Sequence, residues 1–392
     1  MTRREMASAA AASALSYSRI WGANERVGLG VIGTGGRGVH VMTKFQLQPE
    51  VEVRALCDVY AVRIDQAKEK APNARGFAHH EKLLELKEID AVLIGSPDHW
   101  HKQHAVDAMQ AGKDVYVEKP LCRVIHEGLE MVKTARVTSR ICQVGLQQRS
   151  GQVYLEARER FINSGMIGKV VHVKAFWNNA PASASRRMTS LPAEKPSNLD
   201  WARFLGPVKW REWNPMMYFN FRAFLEFNGG LMTDFGHHWM DVVHMFLGER
   251  PPHGISASGL WLAKDGRTAP DEVVALFDYD GFHVVFESLR IGNPGEYGVE
   301  FYGDQGKLFI NRNRYEFTPA AKGPEKVAAK FPGDITADHV RNFLDCVKSR
   351  KLPNGDVALA YKSVQPPLLA VQSMLEKRRI KWDPDREEAL PF

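Results

Sequence analysis

The sequence predicts an α/β protein of two domains: an N-terminal Rossmann dinucleotide-binding domain, then an α/β domain with a large open, mainly antiparallel sheet. Three observations carry this reading. Gly33-Thr34-Gly35-Gly36-Arg37-Gly38 closes an apolar run at 27–32 and opens a helical segment. Strand-like and helix-like stretches then alternate as far as Gln147, as in a parallel sheet covered on both faces. After Ser150 the alternation gives way to closely spaced strand-like runs at 254–262, 272–279, 282–290, 297–303 and 306–310, with Gly281 and Asp304-Gln305-Gly306 marking hairpin turns.

The domain limits follow from these shifts: 27–150 for the dinucleotide domain and 151–392 for the substrate and oligomerisation domain. Each is long enough to bury its own core. Residues 1–26 stand apart. Arg3-Arg4 precede an alanine-rich stretch at 6–15, which resembles a twin-arginine export signal, and Ser16-Tyr17-Ser18 offers small residues for cleavage. The apolar run is short and Arg19 follows it closely, so a disordered cytoplasmic tail competes with an exported, periplasmic protein. No later stretch approaches the length of a membrane span. A net charge of +6, without a basic run interleaved with aromatics, argues against nucleic acid as a partner. Cys57, Cys122, Cys142 and Cys346 lack C-x-x-C spacing and read as small core residues.

In the first domain, strands are expected at 27–32, 51–57, 91–95, 114–118 and 141–145, and helices at 36–46, 61–70, 80–86, 99–111 and 123–138. Gly33 permits the tight turn, Gly35 lets backbone approach a pyrophosphate, and Gly38 lets the helix pack on the strand. Thr34, Gly36 and Arg37 complete the loop, and the helix start offers unpaired N–H groups to phosphate. Asp58 ends the second strand twenty residues beyond Gly38, where a carboxylate holds the ribose hydroxyls of NAD. A carboxylate there repels a 2′-phosphate, whereas Arg37 could accept one, so NAD is expected and NADP is the less favoured cofactor. Ligands of such sheets lie at the carboxyl ends of the strands, which is where Ser96 to His101, Glu118-Lys119-Pro120 and Gln147 fall. In the second domain a helix is expected at 152–163, a strand at 169–177, a long loop at 180–199, a helix at 232–247, a polar linker at 322–333, and helices at 336–349 and 357–377.

Two groups of residues carry chemistry. Lys119, flanked by Glu118 and Pro120 at a strand end, can stabilise negative charge on a substrate oxygen as a hydroxyl is oxidised. Asp234, His238 and Asp241 fall on one face of the helix expected at 232–247, and a carboxylate beside a histidine suits a general base. A capping Asp234 and packing histidines are the plainer alternative. Two His and two Asp could also suggest a metal, but alcohol oxidation with NAD needs none where a lysine and a histidine are present, and none is expected. The tryptophans of the second half, Trp177 among them, suit sugar faces or core packing.

The glycine loop, Asp58, Glu118-Lys119-Pro120 and Asp234-x-Gly236-x-His238-x-x-Asp241 together resemble the family of glucose–fructose oxidoreductase, inositol 2-dehydrogenase and the rhizopine-catabolism oxidoreductase (Gfo/Idh/MocA), in its exported, carbohydrate-active branch. The resemblance implies terminal helices that pack back on the first domain and a homodimer or homotetramer joined through the second sheet. It implies Lys119 and His238 at the active site with Asp234 beside them. It places Ser96, Pro97, Asp98, Trp100 and His101 in a loop over the nicotinamide half of the cofactor, and Gln147 near the nicotinamide. Asp98 departs from a frequent asparagine. Arg149, Lys174, Trp177, Asp234, His237 and His238 are the candidates for holding substrate.

The function expected is NAD-dependent oxidation of a hydroxyl of a sugar, glycoside or cyclitol. An NAD-dependent glycosidase, working by transient oxidation, elimination, water addition and re-reduction, resembles the same family and is the alternative. A non-catalytic ligand sensor is the third class, against which intact Lys119, Asp234 and His238 count.

Overall fold

The computed structural model describes residues 26–178, 191–289, 295–320 and 325–391. The first domain runs β1 (Val27–Ile32), α1 (Gly36–Gln46), β2 (Val51–Cys57), α2 (Ala61–Lys68), β3 (Arg75–Phe77), α3 (His80–Leu84), β4 (Ala91–Ile94), α4 (His101–Gln110), β5 (Asp114–Val117), α5 (Ile125–Thr138) and β6 (Cys142–Val144). The strands order as β3-β2-β1-β4-β5-β6 and every pairing is parallel. Every residue of β1 is buried, as a central parallel strand covered on both faces requires.

The second domain continues with α6 (Gln152–Ala157), extended by a π-helical turn to Asn163, then β7 (Val170–Trp177), α7 (Trp201–Leu205), α8 (Pro215–Phe219), α9 (Gly230–Asp234) and α10 (Gly236–Leu247). It closes with β8 (Gly254–Leu260), β9 (Glu272–Tyr279), β10 (Phe282–Ser288), β11 (Tyr297–Gly303), β12 (Gly306–Ile310), β13 (Arg314–Pro319), β14 (Val327–Lys330), α11 (Thr336–Ser349), α12 (Val357–Glu376), β15 (Ile380–Asp383) and β16 (Glu388–Pro391). These strands form one sheet, ordered β14-β13-β12-β11-β7-β10-β9-β8-β15-β16. Only β7 with β10 pairs in parallel. The inner face, with Val173, Ala175, Phe277 and Val299, packs on α10 and α12 through Trp239, Val243 and Leu369.

Two expectations are corrected. The stretch 322–333 is not a linker throughout, because Val327–Lys330 pairs antiparallel with β13 as an edge strand. Its own sequence, Val-Ala-Ala-Lys, carries little β preference, so the pairing comes from the neighbour. The helix expected at 232–247 is two helices, broken at Phe235. Asp234 is therefore the last residue of one helix rather than a turn below His238 within a continuous one. The loop expected at 180–199 lies largely outside the described residues.

The terminal helices cover the Rossmann sheet. Phe343 of α11 meets Phe45 edge-on with ring centroids 5.9 Å apart, and Val340 and Leu344 join the same core. On the other face Val357, Ala360 and Val364 of α12 pack against Val117 and Met131. Arg350 forks onto Asp114 at 2.7 and 2.8 Å. All four cysteines are free and buried.

Candidate functional site

The site is built from the carboxyl ends of β1, β2, β4 and β5 on one side and from β7, α9, α10 and the β12–β13 turn on the other. Its dinucleotide end follows from the glycine loop. Gly33 has φ +86°, and a Cβ there would lie 2.4 Å from the Ser96 nitrogen. A Cβ on Gly38 would lie 1.9 Å from the Gly33 carbonyl oxygen, so both positions require glycine for the strand–turn–helix to close. Gly36, by contrast, faces open space: a Cβ there would meet nothing within 4 Å. Bare backbone at the N-terminus of α1 is the surface a pyrophosphate needs. Asp58 accepts from the Thr34 N–H at 2.9 Å and from the Tyr60 N–H at 3.0 Å. Burial raises its pKa against the pull of Arg63. Asp58, Gly33, Gly35, Arg63, Ser96, Pro97 and Trp100 border one cleft. These residues fit a dinucleotide.

Ser96, Pro97 and Trp100 border the same cleft as Asp58. Asp98 and His101 lie beneath their loop. Asp98 is buried and accepts from the Asn228 amide, and burial raises its pKa. The His101 ring sits between the carbonyl oxygens of Pro120 and Ser96, at 2.8 and 2.9 Å, and so ties the loop to the Lys119 strand end. Arg37 turns away from Asp58 to Glu118, 2.8 Å distant, so the arginine that could have met a 2′-phosphate is engaged elsewhere. Gln147 backs this pair: its amide oxygen faces Arg37 and its nitrogen donates to the Gly145 carbonyl at 2.9 Å.

A segment between β7 and α9 closes the cleft from the second domain. Leu199 bridges to Tyr60, the Asp200 N–H donates to the Val59 carbonyl at 2.9 Å, and the Arg63 guanidinium stacks 4.8 Å from the Tyr218 ring centroid. Trp201, Phe204, Tyr218 and Phe227 form the core of this cap. The chain immediately after Asp58 is therefore held by residues some 140 positions later in sequence, a pairing that periodicity alone does not signal.

At the other end Lys119 and Asp234 meet. Lys119 Nζ donates to the Asp234 carbonyl oxygen and to its Oδ1, both at 2.7 Å. The carbonyl is available because α9 ends there and its last carbonyls have no helical partner. Arg222 Nε donates to the same Oδ1 at 3.3 Å. Burial would push Asp234 up, but Lys119 and Arg222 outweigh it and hold the carboxyl at about 2. An ammonium has three donors, so one N–H of Lys119 remains for a ligand.

His238 is buried, and neither Asp234 nor Asp241 is its partner. Its Nδ1 lies 3.2 Å from Gln148 Oε1, and its Nε2 lies 3.3 Å from an Arg312 terminal nitrogen. Arginine only donates, so Nε2 is the acceptor and Nδ1 carries the hydrogen toward Gln148. Burial, then the charges of Lys119 and Arg312, hold the histidine well below its ordinary pKa, as a neutral base. Trp177 stacks on Phe235 at 4.6 Å and lies 6.1 Å from the His238 ring.

Three substrate candidates stand away from this centre. Arg149 spends its charge on Asp241, at 2.8 and 2.9 Å from Nε, and on Glu249 at 3.2 Å. Lys174 projects from the opposite face of the sheet, paired with Glu287 at 3.2 Å. His237, fully buried, points to Ser363 Oγ at 3.1 Å. Arg312 and Gln148, which do touch His238, are the residues that sequence reasoning missed. Arg312 lies in a hairpin turn with no motif around it, and only the fold brings it to α10.

The buried Arg149–Asp241 pair makes a prediction. Arg149→Met leaves Asp241 charged, or forces it to be protonated, with no cation beside it, and costs about 3–5 kcal/mol. Urea unfolding checks this, and Arg149→Met with Asp241→Leu recovers most of the loss if the cost is the orphaned charge.

The fold and the glycine loop define a two-domain Rossmann protein. Residues 27–146 match the oxidoreductase family's NAD-binding Rossmann fold, and residues 156–390 match the same family's C-terminal alpha/beta domain. The chain belongs to the Gfo/Idh/MocA oxidoreductase family, and its first domain is the family's NAD-binding domain. It is 30% identical over 162 residues to an alpha-N-acetylgalactosaminidase of Shewanella oneidensis, a stretch covering 39% of this chain and 35% of that one. The match thus spans about a third of that relative's length. It is 25% identical over 284 residues to the scyllo-inositol 2-dehydrogenase (NAD(+)) of Bacillus subtilis, covering 69% of this chain and 71% of that enzyme. Among solved structures, an oxidoreductase domain protein from Kribbella flavida superposes with a TM-score of 0.73 at 20% identity, covering 94% of this chain and 100% of the other. Levoglucosan dehydrogenase in complex with NADH and levoglucosan gives 0.72 at 16% identity, covering 91% and 99%. At these identities the likeness is one of fold. Among the described residues, no helix is long and apolar enough to cross a membrane.

Proposed function

We propose that the protein oxidises a hydroxyl of a sugar, glycoside or cyclitol, with Lys119 and His238 as catalytic residues and Asp234 positioning Lys119. The observation that carries this is the meeting of Lys119, at the end of a Rossmann strand, with Asp234 and a neutral His238 from the second domain. When bound, NAD accepts the hydride. Gly33 to Gly38 hold its phosphates and Asp58 its ribose hydroxyls. Lys119, fixed by two bonds to Asp234, turns its remaining N–H to the substrate oxygen and stabilises the charge that develops there. His238 takes the hydroxyl proton at Nε2, while Gln148 holds Nδ1–H and so fixes the tautomer. Trp177, stacked on Phe235 and Tyr297 at 4.6 and 4.9 Å, backs Arg312 and His238.

The match to the alpha-N-acetylgalactosaminidase favours a second reading. The same residues, working on a glycoside, would oxidise a ring hydroxyl, acidify the neighbouring C–H, expel the aglycone and return the hydride after water adds. The cap over the ribose cleft supports a cofactor retained through such a cycle. Purified protein with NAD and a panel of sugars, cyclitols and aryl glycosides separates the two. NADH accumulating without aglycone release means a dehydrogenase, and aglycone released without net NADH means a glycosidase. Neither product from any compound would leave a ligand sensor.

Export through Arg3-Arg4 and the alanine-rich stretch, and assembly as a homodimer or homotetramer through the second sheet, belong to the same proposal. The sheet's outer face supports assembly, since Val274 and Leu276 stand 44% and 37% exposed there. A monomeric mass in light scattering would sink the assembly, and cytoplasmic retention of the full chain would sink the export.

A further inference from the structure

Among the described residues, Arg312 is a cation with no carboxylate paired to it. Its guanidinium lies 5.3 Å from the Trp177 ring centroid, and a terminal nitrogen lies 3.3 Å from His238 Nε2. Its Nε is shut off from solvent and has no acceptor. The surrounding cations are all matched: Lys119 and Arg222 share Asp234, Arg37 has Glu118, and Arg149 has Asp241 and Glu249. Among the described residues no acidic side chain pairs with Arg312. The internal stretches 179–190, 290–294 and 321–324 contain no Asp or Glu that could do so.

A part-buried guanidinium beside other positive charges is unfavourable unless something supplies an anion. Burial and the charge of Arg37 both act to lower its pKa. A dinucleotide's pyrophosphate belongs at the bare backbone of Gly35 and Gly36, on the α1 N-terminus, whereas Arg312 belongs to the β12–β13 turn and faces His238. We propose that the substrate is an acid sugar or carboxylated cyclitol, its carboxylate held by Arg312 over Trp177 beside the hydroxyl that faces His238. A planar guanidinium matches a carboxylate with two parallel N–H bonds, which fixes orientation as well as charge. Ring stacking on Trp177 keeps the fork in place. The entering hydroxyl takes the Nε2 contact that Arg312 gives up, and the carboxylate replaces it.

This inference rests on the oxidoreductase reading, and the test separates the two. NAD-loaded full-length protein is given methyl glucuronide and methyl galacturonide beside the neutral methyl glucoside and methyl galactoside. NADH formation is followed, and binding is followed by calorimetry. The expected result is a kcat/KM for at least one acid about tenfold or more above its neutral partner. Arg312→Gln should collapse that acid-to-neutral ratio, and Arg312→Lys should restore part of it. Oxidation of neutral sugars at rates equal to or above the acids would overturn the acid subsite and leave the oxidoreductase standing. Acids that bind through Arg312 without reducing NAD would support the subsite and overturn the reaction. Neither binding nor reduction of any of the four compounds would overturn both.

Discussion

Lys119→Ala abolishes turnover and leaves NAD bound. Lys119 is the side chain that links the two domains at the reacting position, through bonds of 2.7 Å to both the backbone and the carboxylate of Asp234. Removing one preorganised donor from a developing oxyanion costs about 10²–10³ in kcat. The loss here should reach the upper end, because Asp234 is freed at the same time. Arg222 still touches Asp234 at 3.3 Å, so the carboxylate keeps a cation and the fold is expected to hold. The cofactor's contacts with the glycine loop and Asp58 are separate from Lys119, so NAD affinity should change less than threefold or so, well under 1 kcal/mol. Stopped-flow reduction of NAD and fluorescence titration with NADH are the two measurements. Turnover like the wild type would remove Lys119 from the mechanism. Lost turnover together with lost NAD binding would instead make it a cofactor residue.

The dinucleotide half was legible in sequence because its signals are local. A glycine loop between strand and helix, and a carboxylate ending the next strand, are set by near neighbours, and the alternation of β1 to β6 follows from burial on both faces. The substrate side was legible only in part. Lys119 and Asp234 do come together, and Trp177 lies beside His238, but the spacing of Asp234, His238 and Asp241 on a supposed single helix pointed to the wrong partners. The break at Phe235 gives Asp234 to Lys119, while Asp241 goes to Arg149 inside the protein. His238 is held instead by Gln148 and Arg312, which lie 90 residues before and 74 residues after it. Such contacts depend on how the second sheet lies against α10, and no local pattern encodes that. The missed strands β13 to β16 are only four to six residues long, and the edge strand β14 owes its form to pairing with β13 rather than to an apolar run of its own. Arg149 and Lys174 show the converse: a charged residue near a motif is more often satisfied by the fold than offered to a ligand.

The protein unfolds cooperatively as pH falls from about 6 toward 4.5, well above the range where carboxylate pairs fail. His99, His104, His237, His238, His244 and His339 are all buried. Burial is the largest cause in each case. It brings His99 and His339 to about 4, His237 and His244 to about 3, and the other two well below the usual 6.5. The sign follows directly. The unfolded chain takes up protons near pH 6.5 and the folded chain does not, so stability is intact above that value and is lost as pH falls toward the depressed folded values. At pH 5 each such histidine costs about 2 kcal/mol. Six together approach about 12 kcal/mol, comparable with the whole stability of a typical domain, roughly 5–15 kcal/mol. Asp58, Asp98 and Asp241 oppose this in part, because burial raises them and the folded state takes up protons there first. Three carboxyls do not cancel six imidazoles, so the net slope remains steep. Urea midpoints measured at intervals from pH 7.5 to 4.5 give that slope directly. His244→Gln keeps a partner for the Tyr279 hydroxyl, 2.9 Å from the native ring, and should remove about one proton from it. Midpoints that stay level between pH 7 and 5 would mean that these histidines titrate alike in the folded and unfolded chain.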